Sequence, residues 1–219
     1  MLASVSDAAP ALLYPARVRI IAGEYRGRRL EAVPGDGTRP MLDRVKESLF
    51  STLQQRFDGA RVLDLFSGTG SLGLEALSRG AAHVRLVESH VAALKVLRDN
   101  AKALDVVKRV EIVRGDALDP ALWDVAGAAP DVVFCDPPYP LLESGPLRRK
   151  LFDAIRALVL ERMSDGILVF HSPRRVVLAS EFGAGLEIDE REYGTNSLWY
   201  VERAAESHPS GARAPEAGA

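Results

Sequence analysis

The chain has one cysteine among 219 residues, Cys135, so it can form no internal disulfide. That residue closes the apolar run Asp131-Val132-Val133-Phe134-Cys135, which marks it as a buried core residue rather than a nucleophile, and thiol redox chemistry is not expected. The four histidines, His83, His90, His171 and His208, show no metal-ligand spacing; no metal is expected and none of them is given a catalytic role. No apolar stretch approaches the roughly 20 residues that cross a bilayer. Met1 to Ala16 carries no Lys or Arg ahead of its short apolar patch, so the chain reads as cytoplasmic, without a membrane partner. There is no internal repeat, and nothing suggests a symmetric interface, so a monomer is assumed. The net charge is only −2, which by itself argues against a nucleic-acid partner.

The remaining composition, 47% hydrophobic and 26% charged, is that of a soluble globular protein able to bury one substantial core, with room for a small appendage. Its charge is uneven. Between Arg17 and Arg61, ten Lys and Arg face six Asp and Glu, a net +4 that leaves the rest of the chain at −6. Mixed-charge runs are common on solvated faces, so the asymmetry suggests a partner without naming it.

Residues 1–16 and 204–219 are rich in Ala, Pro, Gly and Ser without periodicity and are expected to be disordered, mobile extensions. Residues 17–33 alternate around Gly23 and Gly27 like a small basic β-hairpin. After Pro40, Leu42, Val45, Leu49, Leu53 and Phe57 fall at helical spacing. Residues 17–58 therefore read as an N-terminal appendage, and 59–203 as the main domain. There, strands at 61–66, 83–88, 109–114, 131–135 and 166–170 alternate with helices at 71–79, 90–104, 119–124 and 147–161. This order gives an α/β fold with a Rossmann-like, mostly parallel sheet, which strands 186–193 and 197–201 close as an antiparallel hairpin around Gly194-Thr195-Asn196.

Ligands of such sheets bind beyond the carboxyl ends of the strands, and four of those ends carry suitable chemistry. Asp64 lies inside the first, ahead of Phe66-Ser67-Gly68-Thr69-Gly70, whose glycines let a ligand approach backbone N–H groups at a helix N-terminus. Glu88 at the second can accept both hydroxyls of a ribose, and Asp116 past the third can accept from an adenine amino group. The fourth runs into Asp136-Pro137-Pro138-Tyr139: a carboxylate, a rigid extended turn with two missing N–H groups, and an aromatic ring, a set suited to a planar amino group. The segment Gly68 to Gly73 also fits the dinucleotide-binding G-x-G-x-x-G with Glu88 as its ribose acid, so an NAD-dependent oxidoreductase is a rival. Asp64 tilts the choice, because it would repel a pyrophosphate but attract a ligand bearing an ammonium group, as S-adenosylmethionine does.

Asp64 to Gly70 resembles the cofactor loop of class I S-adenosylmethionine-dependent methyltransferases, and Asp136-Pro137-Pro138-Tyr139 resembles their (Asp/Asn)-Pro-Pro-(Tyr/Phe) signature for exocyclic or amide nitrogen. DNA adenine, RNA guanine and protein glutamine methyltransferases share that signature; Asp in place of Asn leans toward a nucleobase. Arg19 to Gly23, Arg26-Gly27-Arg28, Arg39-Pro40 with Asp43 to Glu47, and Phe66 to Gly80 are similar to the RsmD family of bacterial small-subunit ribosomal RNA guanine-N2 methyltransferases, over about Arg17 to Glu202. The resemblance implies methyl transfer from S-adenosylmethionine to the N2 of one guanine in 16S ribosomal RNA, within the small subunit or its assembly intermediate, with S-adenosylhomocysteine as product. An N6-adenine methyltransferase is the alternative.

The residues expected to hold the cofactor are Asp64, Phe66, Ser67, Gly68, Thr69, Gly70, Glu88, Ser89, Asp116 and Ala117. Asp136, Pro137, Pro138 and Tyr139 are expected at the reacting nitrogen, and Arg19, Arg26, Arg28, Arg29, Arg39 and Arg44 on RNA, with the appendage as a cofactor lid. Met41 stands where the family usually has threonine, and cannot cap the helix with a hydroxyl.

Overall fold

The computed structural model describes residues 18–33 and 41–205; of the mobile extensions expected at 1–16 and 204–219 only 204 and 205 are described, the Ala204 N–H donating to the Gly185 carbonyl at 3.0 Å, and Arg39 lies outside the described residues. The elements in chain order are β1 (Val18–Arg19), β2 (Arg29–Leu30), α1 (Asp43–Thr52), β3 (Arg61–Leu65), α2 (Ser71–Ser78), β4 (His83–Glu88), α3 (Val91–Ala103), β5 (Val110–Arg114), β6 (Val132–Cys135), α4 (Tyr139–Glu143), α5 (Gly145–Ala157), β7 (Ile167–Pro173), β8 (Leu186–Tyr193) and β9 (Asn196–Arg203). Short 3₁₀ turns at Gln54–Arg56, Pro120–Leu122 and Ala179–Phe182 fill the connections, and a π turn at Leu158–Arg162 extends α5.

One seven-stranded sheet runs in the order β5-β4-β3-β6-β7-β9-β8. The strands from β5 to β7 are parallel, joined by crossovers that carry α2, α3 and α4–α5 and, between β5 and β6, only a 3₁₀ turn; β9 pairs antiparallel with β7 and β8 with β9. The expected architecture holds. The central strands are apolar on both faces, as a sheet covered by helices on both sides requires. Val62, Phe134 and Val169 pack with α1, α2 and α3 on one face, and Leu63, Cys135 and Phe170 with α5 on the other. Two aromatic groups anchor the layers: Phe50, Phe57 and Phe134 below, with closest centroids 5.1 Å apart, and Phe152, Phe170 and Phe182 above, with a closest approach of 5.0 Å.

Two features depart from the sequence reading. A one-turn helix, α4, starts directly at Tyr139, where only an extended turn was expected; Pro140 near its start supplies a preset φ. The segment 119–124, expected as a helix, makes only a 3₁₀ turn, held by Asp119, whose side chain accepts from the Ala121 N–H. The N-terminal hairpin is minimal, with Val18 opposite Leu30 and Arg19 opposite Arg29.

That hairpin and α1 belong to the same core as the sheet, since Val18, Ile20, Leu30, Val45, Leu49 and Phe50 join the cluster containing Val62 and Leu77. The joint is polar at its centre. Lys46 of α1 and Glu75 of α2 are both buried and form an ion pair at 3.1 Å. Glu75 also accepts from the Ile21 and Ala22 N–H groups (2.7 and 3.0 Å) and from Arg79 (2.9 Å), while Lys46 donates to the Arg19 carbonyl and Ser71 Oγ, both at 3.0 Å. Beside it, Gly23 turns at φ 83°, where a Cβ would stand 1.8 Å from the Ser78 carbonyl oxygen, so no larger residue fits. Met41 packs against this cluster as an apolar residue, and Leu42 stands at the N-cap of α1 without a side-chain cap.

Burial lowers the pKa of Lys46 although Glu75 opposes it. Removing one partner of a buried pair leaves the other charge uncompensated, at a cost of about 3–5 kcal/mol. Lys46→Met is therefore expected to lose about that much stability in chemical denaturation; a loss below about 1 kcal/mol would show that the pair is not a structural joint.

Candidate functional site

The carboxyl ends of β3, β4, β5 and β6 bring together most of the residues singled out from the sequence. The loop after β3 turns sharply: Phe66 has φ 60°, a strained value for an aromatic residue, and Gly68 has φ 54°. Ser67 locks the turn, its N–H donating to the Val87 carbonyl at 3.0 Å and its hydroxyl reaching the Asp64 carbonyl at 2.7 Å. Gly70 caps α2, and the Thr69 carbonyl accepts from Asn100 Nδ2 at 3.0 Å. The same buried Asn100 holds Glu31 through its N–H and carbonyl, so one amide ties the glycine loop to the N-terminal segment. A Cβ at Gly68 would meet nothing within 4 Å, which leaves that side of the loop open to a ligand.

Asp64 is buried at the end of β3, its Oδ2 accepting from the Gly73 N–H at 2.9 Å in the first turn of α2. Gly73 allows that contact: a Cβ there would stand 3.1 Å from the carboxylate and 2.5 Å from Leu86. Burial, with the negative charges of Asp136 and Glu88, pushes the Asp64 carboxyl up to about 8; the Gly73 bond and Lys46 pull the other way. A buried acid raised in this way is a natural partner for a cationic group, which would restore its ionised form. Glu88 bridges from β4, accepting from the Gly68 N–H at 2.8 Å and the His90 N–H at 2.7 Å; Ser89 beside it is exposed.

Asp116 is exposed after β5, accepting from the Leu118 N–H and from Lys150 of α5, both at 3.0 Å. The Leu118 bond chiefly, then Lys150, hold its carboxyl below the usual range. Ala117 is buried and its carbonyl accepts from Trp123 Nε1. After β6, Pro137 is buried while Pro138 and Tyr139 are exposed, Tyr139 at 57%. The Pro138 carbonyl accepts from Leu141, so of the two proline carbonyls that of Pro137 is the one left for another donor. Cys135 is buried and its thiol is pushed well up, by burial first and then by Asp136 and Asp64, which keeps it protonated and inert.

The arginines of the N-terminal segment divide. Arg26, Arg29 and Arg44 are exposed, Arg19 pairs with Asp43 at 2.9 Å, and Arg28 donates to the Ala103 carbonyl. Arg39 falls outside the described residues. The sequence reading missed two participants. Lys46 was counted with the basic run but is buried, and its i+4 position from Leu42 on an apolar helical stripe was the available signal. His171 of β7 was set aside, yet its Nδ1 lies 2.8 Å from Asp136 Oδ1; only the sheet order brings the two together. Among the described residues no group of His, Cys, Asp and Glu is placed to hold a metal, and no helix is long and apolar enough to cross a membrane.

A Rossmann-like sheet with an antiparallel closing hairpin, a glycine loop after its first parallel strand and a Pro-Pro turn after its fourth defines a class I methyltransferase. The chain belongs to the family described as "Conserved hypothetical protein 95", whose profile matches residues 18–202, and it is a methyltransferase of the RsmD type. It is 36% identical over 186 residues to the Bacillus subtilis protein named "Putative rRNA methyltransferase YlbH", covering 83% of this chain and 96% of that one. It is 41% identical over 123 residues to "Ribosomal RNA small subunit methyltransferase D" of Haemophilus influenzae, covering 56% of this chain and 64% of that one. Among solved structures, the Escherichia coli protein described as "Putative methyltransferase yhhF" superposes with TM-score 0.70 at 31% identity, over 87% of this chain and 99% of that one.

The raised Asp64 carboxyl has a consequence for stability. Between its ordinary value of 3.8 and about 8 the folded state holds a proton that the unfolded chain releases. Its contribution is thus fully present below the ordinary value and is lost as pH rises toward about 8. Asp64→Asn keeps an oxygen acceptor for Gly73 and removes the titration. Urea denaturation across this range is expected to show wild type losing on the order of a few kcal/mol relative to Asp64→Asn. Parallel pH profiles for the two proteins would contradict the assignment.

Proposed function

We propose that the protein transfers a methyl group from S-adenosylmethionine to the exocyclic N2 of a guanine in small-subunit ribosomal RNA. The observation that carries this reading is the Asp136-Pro137-Pro138-Tyr139 turn on the strand adjacent to the Asp64–Gly70 loop, in a chain whose relatives are named ribosomal RNA methyltransferases. The cofactor's residues would be Asp64 for its ammonium group, Glu88 for its ribose and Asp116 with Ala117 for its adenine, against the open side of Gly68. It supplies an electrophilic methyl on a sulfonium, which is an excellent leaving group.

The protein's own task is positioning. A guanine amino nitrogen is a poor nucleophile because its lone pair is delocalised into the ring. Hydrogen bonds from its N–H groups to the Asp136 carboxylate and the Pro137 carbonyl localise that pair and aim it at the methyl carbon. The nitrogen's proton can leave after the methyl is transferred from the sulfonium, so Asp136 need not be a strong base. Tyr139, exposed at the mouth, stacks on the extruded base, a contact worth about 1–3 kcal/mol in single-strand binders. Arg26, Arg29 and Arg44 supply phosphate contacts from the N-terminal segment, with Arg19 and Arg28 contributing less because each already has a partner. The substrate is RNA in the small subunit or its assembly intermediate, handled by a monomer in the cytoplasm.

Radiolabelled methyl transfer to small subunits lacking the modification, followed by nucleoside analysis, tests this directly. Wild type is expected to yield N2-methylguanosine, and Asp136→Ala to lose at least ~100-fold in rate with its fold intact. Label in N6-methyladenosine, or full activity in the variant, would refute the reading.

A further inference from the structure

We infer that His171 is a positioning residue for methyl transfer, fixing the Asp136 carboxylate through one oxygen so that the other faces the amino group. The inference rests on the reading given under Proposed function, and the geometry adds what that reading does not contain. The β6–β7 register pairs Cys135 with Phe170, so the next residues, Asp136 and His171, stand abreast on the face that also carries Asp64. Nδ1 of His171 lies 2.8 Å from Oδ1 of Asp136. An ionised carboxylate only accepts, so the shared proton is assigned to the imidazole nitrogen.

The two partners differ in freedom. The Asp136 side chain is 39% exposed on a turn, whereas that of His171 is 12% exposed within a strand, its Cα partner on β9 being the buried Leu198. The fixed ring therefore orients the free carboxylate, and not the reverse. Burial works against charge on the ring, but Asp136 and the nearby Asn196 outweigh it and raise the pKa above the ordinary histidine value. A second observation separates function from packing. Nε2 of His171 is buried and makes no hydrogen bond of good geometry among the described residues, although the Asn196 side chain lies close enough to act on the ring. A buried nitrogen so poorly partnered adds little to folding, so an apolar residue would suit the position at least as well if folding alone decided it.

The test compares wild type with His171→Asn, His171→Gln and His171→Leu in steady-state transfer to small subunits, with thermal midpoints and S-adenosylmethionine affinity measured alongside. The asparagine amide can place a donor where Nδ1 stands; the longer glutamine cannot. The expected result is a kcat about tenfold or more below wild type for Leu and Gln, recovery to within about threefold for Asn, and cofactor affinity unchanged within about twofold. The thermal midpoint of the Leu variant is expected to be no lower than wild type. Wild-type kcat in the Leu or Gln variant, or equal losses in Asn and Gln, overturns the inference alone. If Leu does not fold, the contrast between Asn and Gln still decides. Failure of wild type to methylate RNA while it binds S-adenosylmethionine overturns the reading beneath the inference, and the inference with it.

Discussion

The buried ion pair between Lys46 and Glu75 is the constraint on which the remaining structure depends. Two charges removed from water repay their desolvation only when nearly every donor and acceptor is used. That condition is met by drawing four segments to one point: the Arg19–Ala22 backbone, α1 through Lys46, the first turn of α2 through Ser71, and Arg79 at its end. Because α2 starts at the glycine loop, the joint sets the N-terminal segment and the candidate cofactor loop in one frame. Asn100 repeats the linkage from α3, bonding both Glu31 and Thr69. The N-terminal segment is therefore built onto the sheet, and any grip on RNA from its arginines is transmitted rigidly to the loop after β3.

The site itself is an arc of acids across the carboxyl ends of the parallel strands, each held by a different device. Asp64 is buried against a helix N-terminus, Glu88 accepts two backbone N–H groups, Asp116 is capped by its own turn and Lys150, and Asp136 leans on His171. The anchors matter because these carboxylates repel one another; the rise at Asp64 comes partly from Asp136 and Glu88. Such an arc suits a cofactor carrying positive charge and a substrate offering N–H groups, and it disfavours a pyrophosphate. Exposed positive charge lies instead on Arg26, Arg29 and Arg44 of the N-terminal segment, the groups proposed to meet the RNA backbone.

Much of this was legible in the sequence. Apolar runs alternating with helical periodicity give a mostly parallel sheet closed by an antiparallel hairpin, but the order of its strands came only with the structure. Ends of the main-sheet strands were read within about two residues, apart from the end of β7, which runs on to Pro173 because it pairs with β9 as far as Asn196. The acids at successive strand ends were found because strand termini are where such sheets bind ligands. What escaped was non-local. Lys46 looks like any other member of a basic run until a buried Glu75, 29 positions on, is placed against it. His171 has no meaning without its neighbour from β6, 35 positions earlier. The helix at Tyr139 was hidden because the two prolines before it signal extension more strongly than the short stretch after them signals helix.

A crystal structure of the protein with S-adenosylhomocysteine is the most direct test. The account predicts adenine beside Asp116 and Ala117, ribose hydroxyls on Glu88 and the amino group near Asp64, with the sulfur directed toward the Asp136-Pro137-Pro138-Tyr139 turn. Binding elsewhere, or a site that admits NAD in place of S-adenosylhomocysteine, would contradict it.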